Sequence, residues 1–335
     1  MTDPAPSPWS GRIDGEGPEH ARWHQVVRTA ATPGDPADPH VAVLGFRSDE
    51  GVRRNRGRVG AAEAPDALRR ALAPMAVHGA IARGETGIHD LGDARTVGEA
   101  LETGQAAAGH LIASALDRPG SVLTVVLGGG HETAWASYLG LQDSTAMSSS
   151  EEPPRWGVLN LDAHFDLREE PRPTSGTPFA QMAAAEAAAG RELHYRVLGI
   201  AEPSNTGVLF DRARELGVSW WTDVQCLEAG AEGMRRTVAD FAADLDVLYL
   251  TIDLDVLPAQ TAPGVSAPAA FGVPLPLIEA AVRAAAGTGK LALLDVVELN
   301  PSLDVDGRTA KAAARLIDTA VRTMPLSSAR ATPRG

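Results

Sequence analysis

The 335-residue sequence has one cysteine, few aromatic residues and no long apolar run, and these shortages exclude several classes of protein. Because Cys226 has no second cysteine to pair with, an internal disulfide is excluded, and a reducing cytoplasm is the expected compartment. The apolar runs fall short of the roughly 20 residues that a membrane-spanning helix needs. The amino terminus is rich in acidic residues and proline and lacks the basic and apolar segments of a signal peptide.

Basic residues are also scarce, since 30 Lys and Arg stand against 43 Asp and Glu and give a formal net charge of −13. Binding to nucleic acid requires a basic surface, and no Lys/Arg cluster supplies one. Hydrophobic residues make up 44% of the chain and charged residues 22%, as in an ordinary globular protein with a sizeable core. The composition therefore favours a small-molecule substrate over nucleic acid or membrane.

Short apolar runs rich in β-branched residues alternate with alanine-rich amphipathic stretches. The runs predicted to be buried strands are Val41–Phe46, Val122–Leu127, Trp156–Leu161, Tyr195–Ile200, Val218–Trp221, Val247–Ile252 and Leu291–Val297. The stretches predicted to be helices are Ala61–Leu72, Val97–Leu116, Pro178–Ala189, Ala231–Leu245, Leu275–Ala286 and Arg308–Thr323. This alternation predicts an α/β fold with a mostly parallel sheet covered by helices.

The pattern indicates one large catalytic domain over residues 41–324, with a tail at each end. Residues 1–40 are rich in Pro, Asp and Gly, which predicts an irregular N-terminal arm, and residues 325–335 are expected to form a C-terminal tail. The Ser-, Glu- and Pro-rich segment Gln142–Arg155 is predicted to be a surface loop.

Three of the predicted strands end in residues of the types that bind metal ions. The strand Val122–Leu127 is followed by three glycines and then His131 and Glu132, without the second histidine of a zincin helix. The strand Trp156–Leu161 is followed by three alternating polar residues, and Val247–Ile252 by two; these five are Asp162, His164, Asp166, Asp253 and Asp255. In parallel sheets, ligands bind beyond the carboxyl ends of the strands, so we expect the clusters to converge.

Each cluster alone is equally well explained as a cap of a strand or a helix. Three of them at equivalent strand ends are better explained by metal binding, because packed carboxylates repel one another unless a cation neutralises them. Four aspartates and two histidines are enough for two ions that share carboxylates, and this oxygen-rich set without thiolate favours Mn(II). The predicted chemistry is metal-assisted hydrolysis, in which two ions activate a water molecule.

The motifs GGGHE, DAHFD and TIDLDVLP followed by APGVSAP resemble, in this order, the three metal-binding motifs of the ureohydrolases, the superfamily of arginases, agmatinases and formimidoylglutamases. The similarity extends from about Val41 to Thr323. It implies a three-layer α/β/α fold around a sheet of about eight parallel strands, two Mn(II) per subunit, and a homo-oligomer, either a trimer or a hexamer.

The resemblance also assigns roles to the individual residues. It implies that Asp162 and Asp253 are shared by both metals, that His131 and Asp166 complete one metal site, and that His164 and Asp255 complete the other. Glu298 matches the glutamate that holds the cationic amidine or guanidinium group of the substrate. The usual mechanism of the family implies that Asp166 relays the proton to the leaving amine.

Further segments are similar to the formimidoylglutamase branch, which hydrolyses N-formimidoyl-L-glutamate to L-glutamate and formamide in histidine degradation. They are Gly51–Gly60, Arg168, Ser175–Phe179, Ser204–Thr206, Glu298–Pro301 and Asp306–Thr309. Phe179 stands where arginases have a histidine, which disfavours arginine as the substrate. Arg168 stands where arginases have an asparagine that contacts the substrate carboxylate, and a guanidinium there suits a dicarboxylate tail.

The remaining substrate contacts are less specific in sequence. Arg54 and Arg58 either bind substrate carboxylates or belong to a solvated basic loop or a subunit contact. Asn205 and Thr206 follow the strand Tyr195–Ile200 and either position the amino-acid end of the substrate or cap the loop. The alternatives for the whole chain are an agmatinase or guanidino-acid ureohydrolase that releases urea, and an inactive metal-binding homologue.

Overall fold

The computed structural model describes residues 7–30, 34–35, 37–148 and 153–325. At its centre is one sheet of nine parallel strands in the spatial order β1-β3-β2-β4-β9-β8-β5-β6-β7. The strands are β1 Val27–Arg28, β2 His40–Arg47, β3 Gly87–Arg95, β4 Ser121–Leu127, β5 Trp156–Leu161, β6 Tyr195–Ile200, β7 Ser219–Thr222, β8 Val247–Asp253 and β9 Leu291–Val297. The predicted α/β fold with a parallel sheet is thereby confirmed.

All seven predicted strands occur in the sheet, and two further strands, β1 and β3, were not predicted. Strand β3 reads GIHDLGDAR, in which two glycines and three charged residues break the apolar pattern. It is nevertheless held in the sheet by parallel pairing with β1 and β2. The sheet therefore has nine strands where about eight were expected.

Helices cover both faces of the sheet. They are α1 Trp23–Val26, α2 Glu50–Arg54, α3 Ala64–Leu72, α4 Gly79–Ala82, α5 Leu101–Leu116, α6 Thr133–Asp143, α7 Thr145–Ser148, α8 Pro178–Ala188, α9 Gly207–Glu215, α10 Asp223–Ala243, α11 Leu275–Gly287 and α12 Arg308–Thr323. In the described part of the chain, no helix is both long enough and apolar enough to cross a membrane.

The side chains of each strand alternate between two hydrophobic cores, as the pleat of a strand requires. Val41 and Val43 of β2 pack with α3, α10, α11 and α12 in one core, whereas Ala42 and Leu44 pack with α5, α6, α8 and α9 in the other. The two cores and the sheet between them form the three layers that the family resemblance implies.

Several segments differ from the sequence-based expectation. The arm over residues 1–40 is only partly irregular, because α1 and β1 form within it and the side chain of Trp23 is fully buried in the core. The predicted loop Gln142–Arg155 contains the end of α6 and the short helix α7, whose Met147 is buried, while residues 149–152 lie outside the described residues. Of the predicted tail, only Pro325 is described.

Helix α10 begins at Asp223, eight residues before its predicted start at Ala231. Its amino terminus is closed by a capping box, in which the Thr222 hydroxyl accepts a hydrogen bond from the Gln225 backbone and the Gln225 side chain accepts one from the Thr222 backbone. Gly230, at φ 64°, interrupts the helix with a kink, and the predicted stretch begins directly after this glycine.

Candidate metal centre

Four neighbouring strands deliver the functional side chains to one edge of the sheet. Strands β4, β9, β8 and β5 are adjacent in that order, and all four end at the same edge because the sheet is parallel. The glycines and His131 follow β4, Glu298 follows β9, Asp253 and Asp255 lie at the end of β8, and the DAHFD motif follows β5. The convergence that the sequence predicted is thus produced by the strand order.

A tight glycine turn brings His131 into the centre. A Cβ atom on Gly129 would lie 1.8 Å from the carbonyl oxygen of Ser48, so no other residue fits at this position. The His131 ring is fully buried, and its Nε2 atom lies 3.1 Å from the Thr251 hydroxyl oxygen. This contact fixes the orientation of the ring and leaves Nδ1 facing the carboxylates.

Three carboxylates surround the Nδ1 atom of His131. Its distances to the nearest oxygens of Asp162, Asp166 and Asp253 are 3.2, 3.0 and 3.1 Å. None of these contacts has the geometry of a hydrogen bond, so Nδ1 is a buried polar atom without a hydrogen-bond partner in the described part of the chain. A ring nitrogen that converges with carboxylate oxygens in this way is suited to share a metal ion with them.

A second group lies beside the first and shares one residue with it. The Nδ1 atom of His164 is 3.1 Å from Asp255 and 3.5 Å from Asp162. The ligand atoms of His131, Asp162 and Asp253 all lie within 4.8 Å of one another, and so do those of Asp162, His164 and Asp255. Asp162 therefore belongs to both groups, whereas Asp253 belongs to the first and accepts a hydrogen bond from the backbone of Asp255 at 2.9 Å.

The electrostatics of the cluster fit a pair of divalent cations. Burial, reinforced by the carboxylates of Asp255 and Asp162, raises the pKa of Asp253 well above its usual range. Although burial opposes a charged ring, the carboxylates around His131 raise its pKa well above its usual value. Four carboxylates this close together are stable when positive charge lies between them, which two divalent ions would supply.

Residues that the motifs did not identify hold the ligands in place. The side-chain amide of Asn160 donates to Asp162 at 2.8 Å and to the hydroxyl of Tyr195 at 3.1 Å, and this hydroxyl donates to the Phe165 carbonyl at 2.9 Å. Asn160 lies two positions before Asp162 on β5 and so points to the same face, which is the signal that could have identified it.

Glu298 is fixed at the edge of the cluster by the backbone. Its carboxylate accepts a hydrogen bond from the backbone of His131 at 2.8 Å, and its own backbone donates to the carbonyl of Gly129 at 2.8 Å. Glu298 and Asp166 are two of the four non-glycine residues with positive φ in the described chain, at 66° and 48°. Such strained backbone is typical of functional sites. Burial, with the nearby Glu132 and Asp255, raises the pKa of Glu298 to about 8.

Phe179 forms an apolar wall of the centre. Its ring meets that of His131 edge-on, with the centroids 5.4 Å apart, and stacks on Tyr195 at 4.3 Å. The Phe179 side chain is fully buried. It therefore offers no group that transfers protons, in agreement with the sequence-based distinction from arginases.

The three predicted arginines have different surroundings. Arg168 is exposed, lies against Gly176, and forms no ion pair with any residue that the structure describes. The side chain of Arg54 is only 6% exposed and bonds to the carboxylates of Glu50 and Glu102. The Arg58 guanidinium donates to the carbonyls of residues 265 and 266. Arg168 is thus the one of these three whose charged group is unengaged.

Asn205 and Thr206 also differ from each other. The side chain of Asn205 accepts from the backbone of Phe165 at 3.1 Å and donates to the carbonyls of Ala163 and Ala201, both at 2.9 Å. These bonds tie the β6–α9 loop to the DAHFD loop, which favours the capping interpretation for Asn205. Thr206 is exposed at the start of α9, and its side chain does not cap that helix.

Comparison with known proteins adds to this geometry. Residues 39–322 match the family model described as Arginase family. The formimidoylglutamase of Nocardia farcinica is 54% identical over 315 residues, which cover 94% of this chain and 95% of that protein. The crystal structure of formimidoylglutamase from Bacillus subtilis has a TM-score of 0.78 at 22% identity and covers 96% of both chains. That of Trypanosoma cruzi formiminoglutamase with Mn²⁺ has a TM-score of 0.74 at 22% identity, over 88% of this chain and 97% of that chain.

Proposed function

This chain belongs to the arginase family, and we propose that it is a formimidoylglutamase, which hydrolyses N-formimidoyl-L-glutamate to L-glutamate and formamide. The observation that carries the proposal is the similarity to a protein of that name over nearly the full length of both chains. The site supports the same reaction, because the six candidate ligands lie beside a buried carboxylate and an apolar wall.

We propose two Mn(II) ions per subunit as the cofactor, held by His131, Asp162, His164, Asp166, Asp253 and Asp255. The mixture of carboxylate oxygens and imidazole nitrogens without thiolate suits this metal. When bound, the metal pair supplies an activated water molecule and polarises the group under attack. The protein contributes the ring of His131 and the buried carboxylates. Hydrogen bonds to Thr251, Asn160 and backbone groups fix the positions of these side chains.

Glu298 is assigned to the amidinium end of the substrate. Its carboxylate is only 6% exposed and has other acidic groups nearby, so a cationic partner is strongly favoured there. Pairing with the amidinium favours the ionised form of Glu298 and orients the formimidoyl carbon toward the metal centre. The backbone bond from His131 fixes the carboxylate relative to the nearest candidate ligand.

Asp166 is assigned to proton transfer to the leaving amine. Its side chain lies 3.0 Å from His131 Nδ1 and is 13% exposed, more than that of Asp162, Asp253 or Asp255. Burial and the charge of Asp162 raise the pKa of Asp166, so a proton is held there more readily than on an ordinary aspartate.

The carboxylates of the glutamate moiety are assigned to the outer part of the site. Arg168 is the main candidate, because its guanidinium is exposed and unengaged, and Thr206 offers a free hydroxyl. Arg54 and Arg58 act indirectly in this proposal, since their bonds hold the surrounding loops. Asn205 likewise supports the DAHFD loop.

Purified protein loaded with manganese and assayed for products tests the proposal. With N-formimidoyl-L-glutamate we expect equal amounts of glutamate and formamide, and with agmatine or other guanidino compounds little urea. Release of urea as the main activity would replace the proposal with a guanidino-acid ureohydrolase. Turnover of none of these substrates with full metal occupancy would indicate an inactive metal-binding homologue.

We also propose a homo-oligomer, either a trimer or a hexamer, that works in the cytoplasm. The oligomer follows from the family resemblance, and the cytoplasm is consistent with the single, buried cysteine. Sedimentation analysis of the metal-loaded protein tests the oligomer, for which a mass of three or six chains is expected and a monomer would contradict it.

A further inference from the structure

A second group of polar side chains lies at the opposite edge of the sheet, where the strands begin. Arg28 is in β1, His40 opens β2, His89 lies near the start of β3, and Arg118 lies in the turn before β4. Arg28 and His89 are register partners, so their side chains share one face of the sheet. Arg28, His89 and Arg118 line a cavity of about 180 Å³, which we call the amino-edge cavity.

Several polar atoms around this cavity are buried without a hydrogen-bond partner in the described part of the chain. Nδ1 of His89 and Nε of Arg118 belong to lining residues, and Nε2 of His40 and Oγ of Ser121 belong to register partners at the start of β2 and β4, next to that lining. His89 is 5% exposed and His40 fully buried, and their rings stack at 4.2 Å. A buried polar atom that stays unpaired is destabilising, so the unpaired atoms of His89 and Arg118 in the lining indicate a polar ligand.

The charge of the cavity is positive. Neither the Arg28 nor the Arg118 guanidinium forms an ion pair with a residue that the structure describes. The lining carboxylate of Asp90 is already bound by Arg69 at 2.8 Å and by the Trp9 indole at 2.6 Å. Because unpaired guanidinium groups bind phosphate and carboxylate through paired hydrogen bonds, the ligand that fits is an anion.

We propose that the amino-edge cavity binds a small oxyanion, a phosphate or carboxylate group, between the guanidinium groups of Arg28 and Arg118 and beside the His89 ring. Phosphate and carboxylate share the oxygen acceptors that these donors require. The site is separate from the hydrolytic reaction and does not depend on the proposed substrate.

The titration of His89 is consistent with positive surroundings. Burial, together with the positive charges of His40, Arg118 and Arg28, lowers the pKa of His89 to about 4. The carboxylate of Asp38 acts in the opposite direction on His40 and His89 but does not outweigh these effects. Near neutral pH both rings are therefore uncharged, and the positive charge that a bound anion would offset belongs to Arg28 and Arg118.

The amino-edge cavity is distant from the metal centre. Strand β4 runs for seven residues from Ser121, beside the cavity, to Leu127, after which the glycine turn leads to His131. At about 3.3 Å per residue, the two sites are roughly 20 Å apart. An anion that binds at the amino edge therefore does not occupy the metal centre.

Isothermal titration calorimetry of the manganese-loaded protein tests the proposal, with sodium phosphate and sodium succinate as probes at constant ionic strength. We expect at least one probe to bind saturably with a Kd in the millimolar range or lower. The probe with the lower Kd identifies the class of anion. Arg28→Gln and Arg118→Gln should each weaken it about tenfold or more, because each removes a charged hydrogen-bond donor. The matched control Arg236→Gln, on exposed α10 surface, should bind like the wild type.

The variants also separate this site from anion binding at the metals. If the probes bind at the metal centre, Arg118→Gln should bind them as the wild type does. If they bind in the amino-edge cavity, Arg118→Gln should bind them more weakly. The proposal is overturned if neither probe binds, or if both arginine variants bind as tightly as the control. Melting temperatures without added anion show whether each variant is folded, and Arg118→Lys, which keeps the charge, should retain part of the affinity in a folded protein.

Discussion

The two edges of the sheet carry polar clusters of opposite charge, one buried and one lining a cavity that is open at Arg28. At the carboxyl edge, Asp162, Asp253 and Asp255 concentrate negative charge that calls for cations. At the amino edge, the guanidinium groups of Arg28 and Arg118 supply positive charge to a cavity that the His89 ring also lines. Both clusters arise because strand ends place side chains from distant parts of the chain together. The carboxyl edge differs in that hydrogen bonds from backbone and side chains fix His131, Asp162 and Asp253, as a catalytic centre requires.

The largest expected effect is the loss of the carboxyl-edge centre through Asp162→Ala. Because Asp162 belongs to both candidate metal groups, its removal should lower metal content below two ions per chain and reduce kcat/KM by about a thousandfold or more. Asp253→Ala should do the same if Asp253 is also shared by both ions, as the family resemblance implies. Elemental analysis and activity assays check this, with the exposed Asp211→Ala as the control. Either variant with two metals per chain would contradict the two-metal centre.

Glu298→Gln should separate substrate binding from metal binding. The loss of a charged partner for the amidinium is expected to cost about 1.5–3 kcal/mol, which corresponds to a fall in kcat/KM of roughly 10- to 150-fold. Metal content should stay at the wild-type value, because Glu298 belongs to neither candidate ligand group. Unchanged kcat/KM would show that the substrate cation binds elsewhere.

Thr251→Val should weaken the metal centre by a smaller amount. The hydroxyl of Thr251 contacts Nε2 of His131 at 3.1 Å, and the loss of such a supporting contact typically reduces metal affinity about 10- to 100-fold. Competition with a chelator measures this. Thr124→Val is a matched control, because Thr124 is equally buried in a central strand and its hydroxyl has no partner in the described chain. Equal affinity in the two variants would refute the supporting role.

Arg168→Gln addresses the exposed rim of the carboxyl-edge site. If this guanidinium binds a substrate carboxylate, KM should rise about tenfold while kcat changes little, since the contact is the same in the ground and transition states. Arg172→Gln, which replaces another exposed arginine of the same loop, is the control. A steady-state kinetic comparison decides, and an unchanged KM would remove Arg168 from the substrate contacts.

The smallest expected effect is at the amino edge and concerns acid stability without added anion. His89 has a pKa of about 4 in the folded protein, below the usual value of 6.5, so the unfolded chain binds more protons between these pH values. Stability from this group is therefore complete above about pH 6.5 and is lost as pH falls toward 4. Thermal unfolding from pH 7.5 to 4.5 should show a shallower loss in His89→Gln than in wild type. A steeper loss in the variant would contradict this assignment.

The sequence revealed the carboxyl edge far better than the amino edge. Apolar runs predicted seven strands, and the ligand residues lie within five positions of three strand ends, so compact motifs identified them. The amino-edge residues Arg28, His40, His89 and Arg118 are scattered, and they converge only through β1 and β3, whose short or polar sequences predict no strand. These residues come together because of the order of the strands in the sheet, which cannot be read from sequence patterns.

The supporting residues were missed for a similar reason. Thr251 and Asn160 look like ordinary polar interruptions of buried strands, and their partners become evident only in three dimensions. Conversely, the sequence of the arginine-rich segment Gly51–Gly60 did not indicate whether the guanidinium groups of Arg54 and Arg58 are free. Arg54 is engaged by Glu102, 48 positions away, a pairing that depends on how the α2 and α5 segments meet.

Titration of metal-free protein with Mn(II), followed by formamide release from N-formimidoyl-L-glutamate, tests the central claim most directly. The two-metal formimidoylglutamase account predicts no activity without metal and a rise in formamide release that saturates at two ions per subunit. The account would be contradicted by saturation at one ion or by activity in the metal-free protein. It would also be contradicted if urea release from guanidino substrates were faster than formamide release.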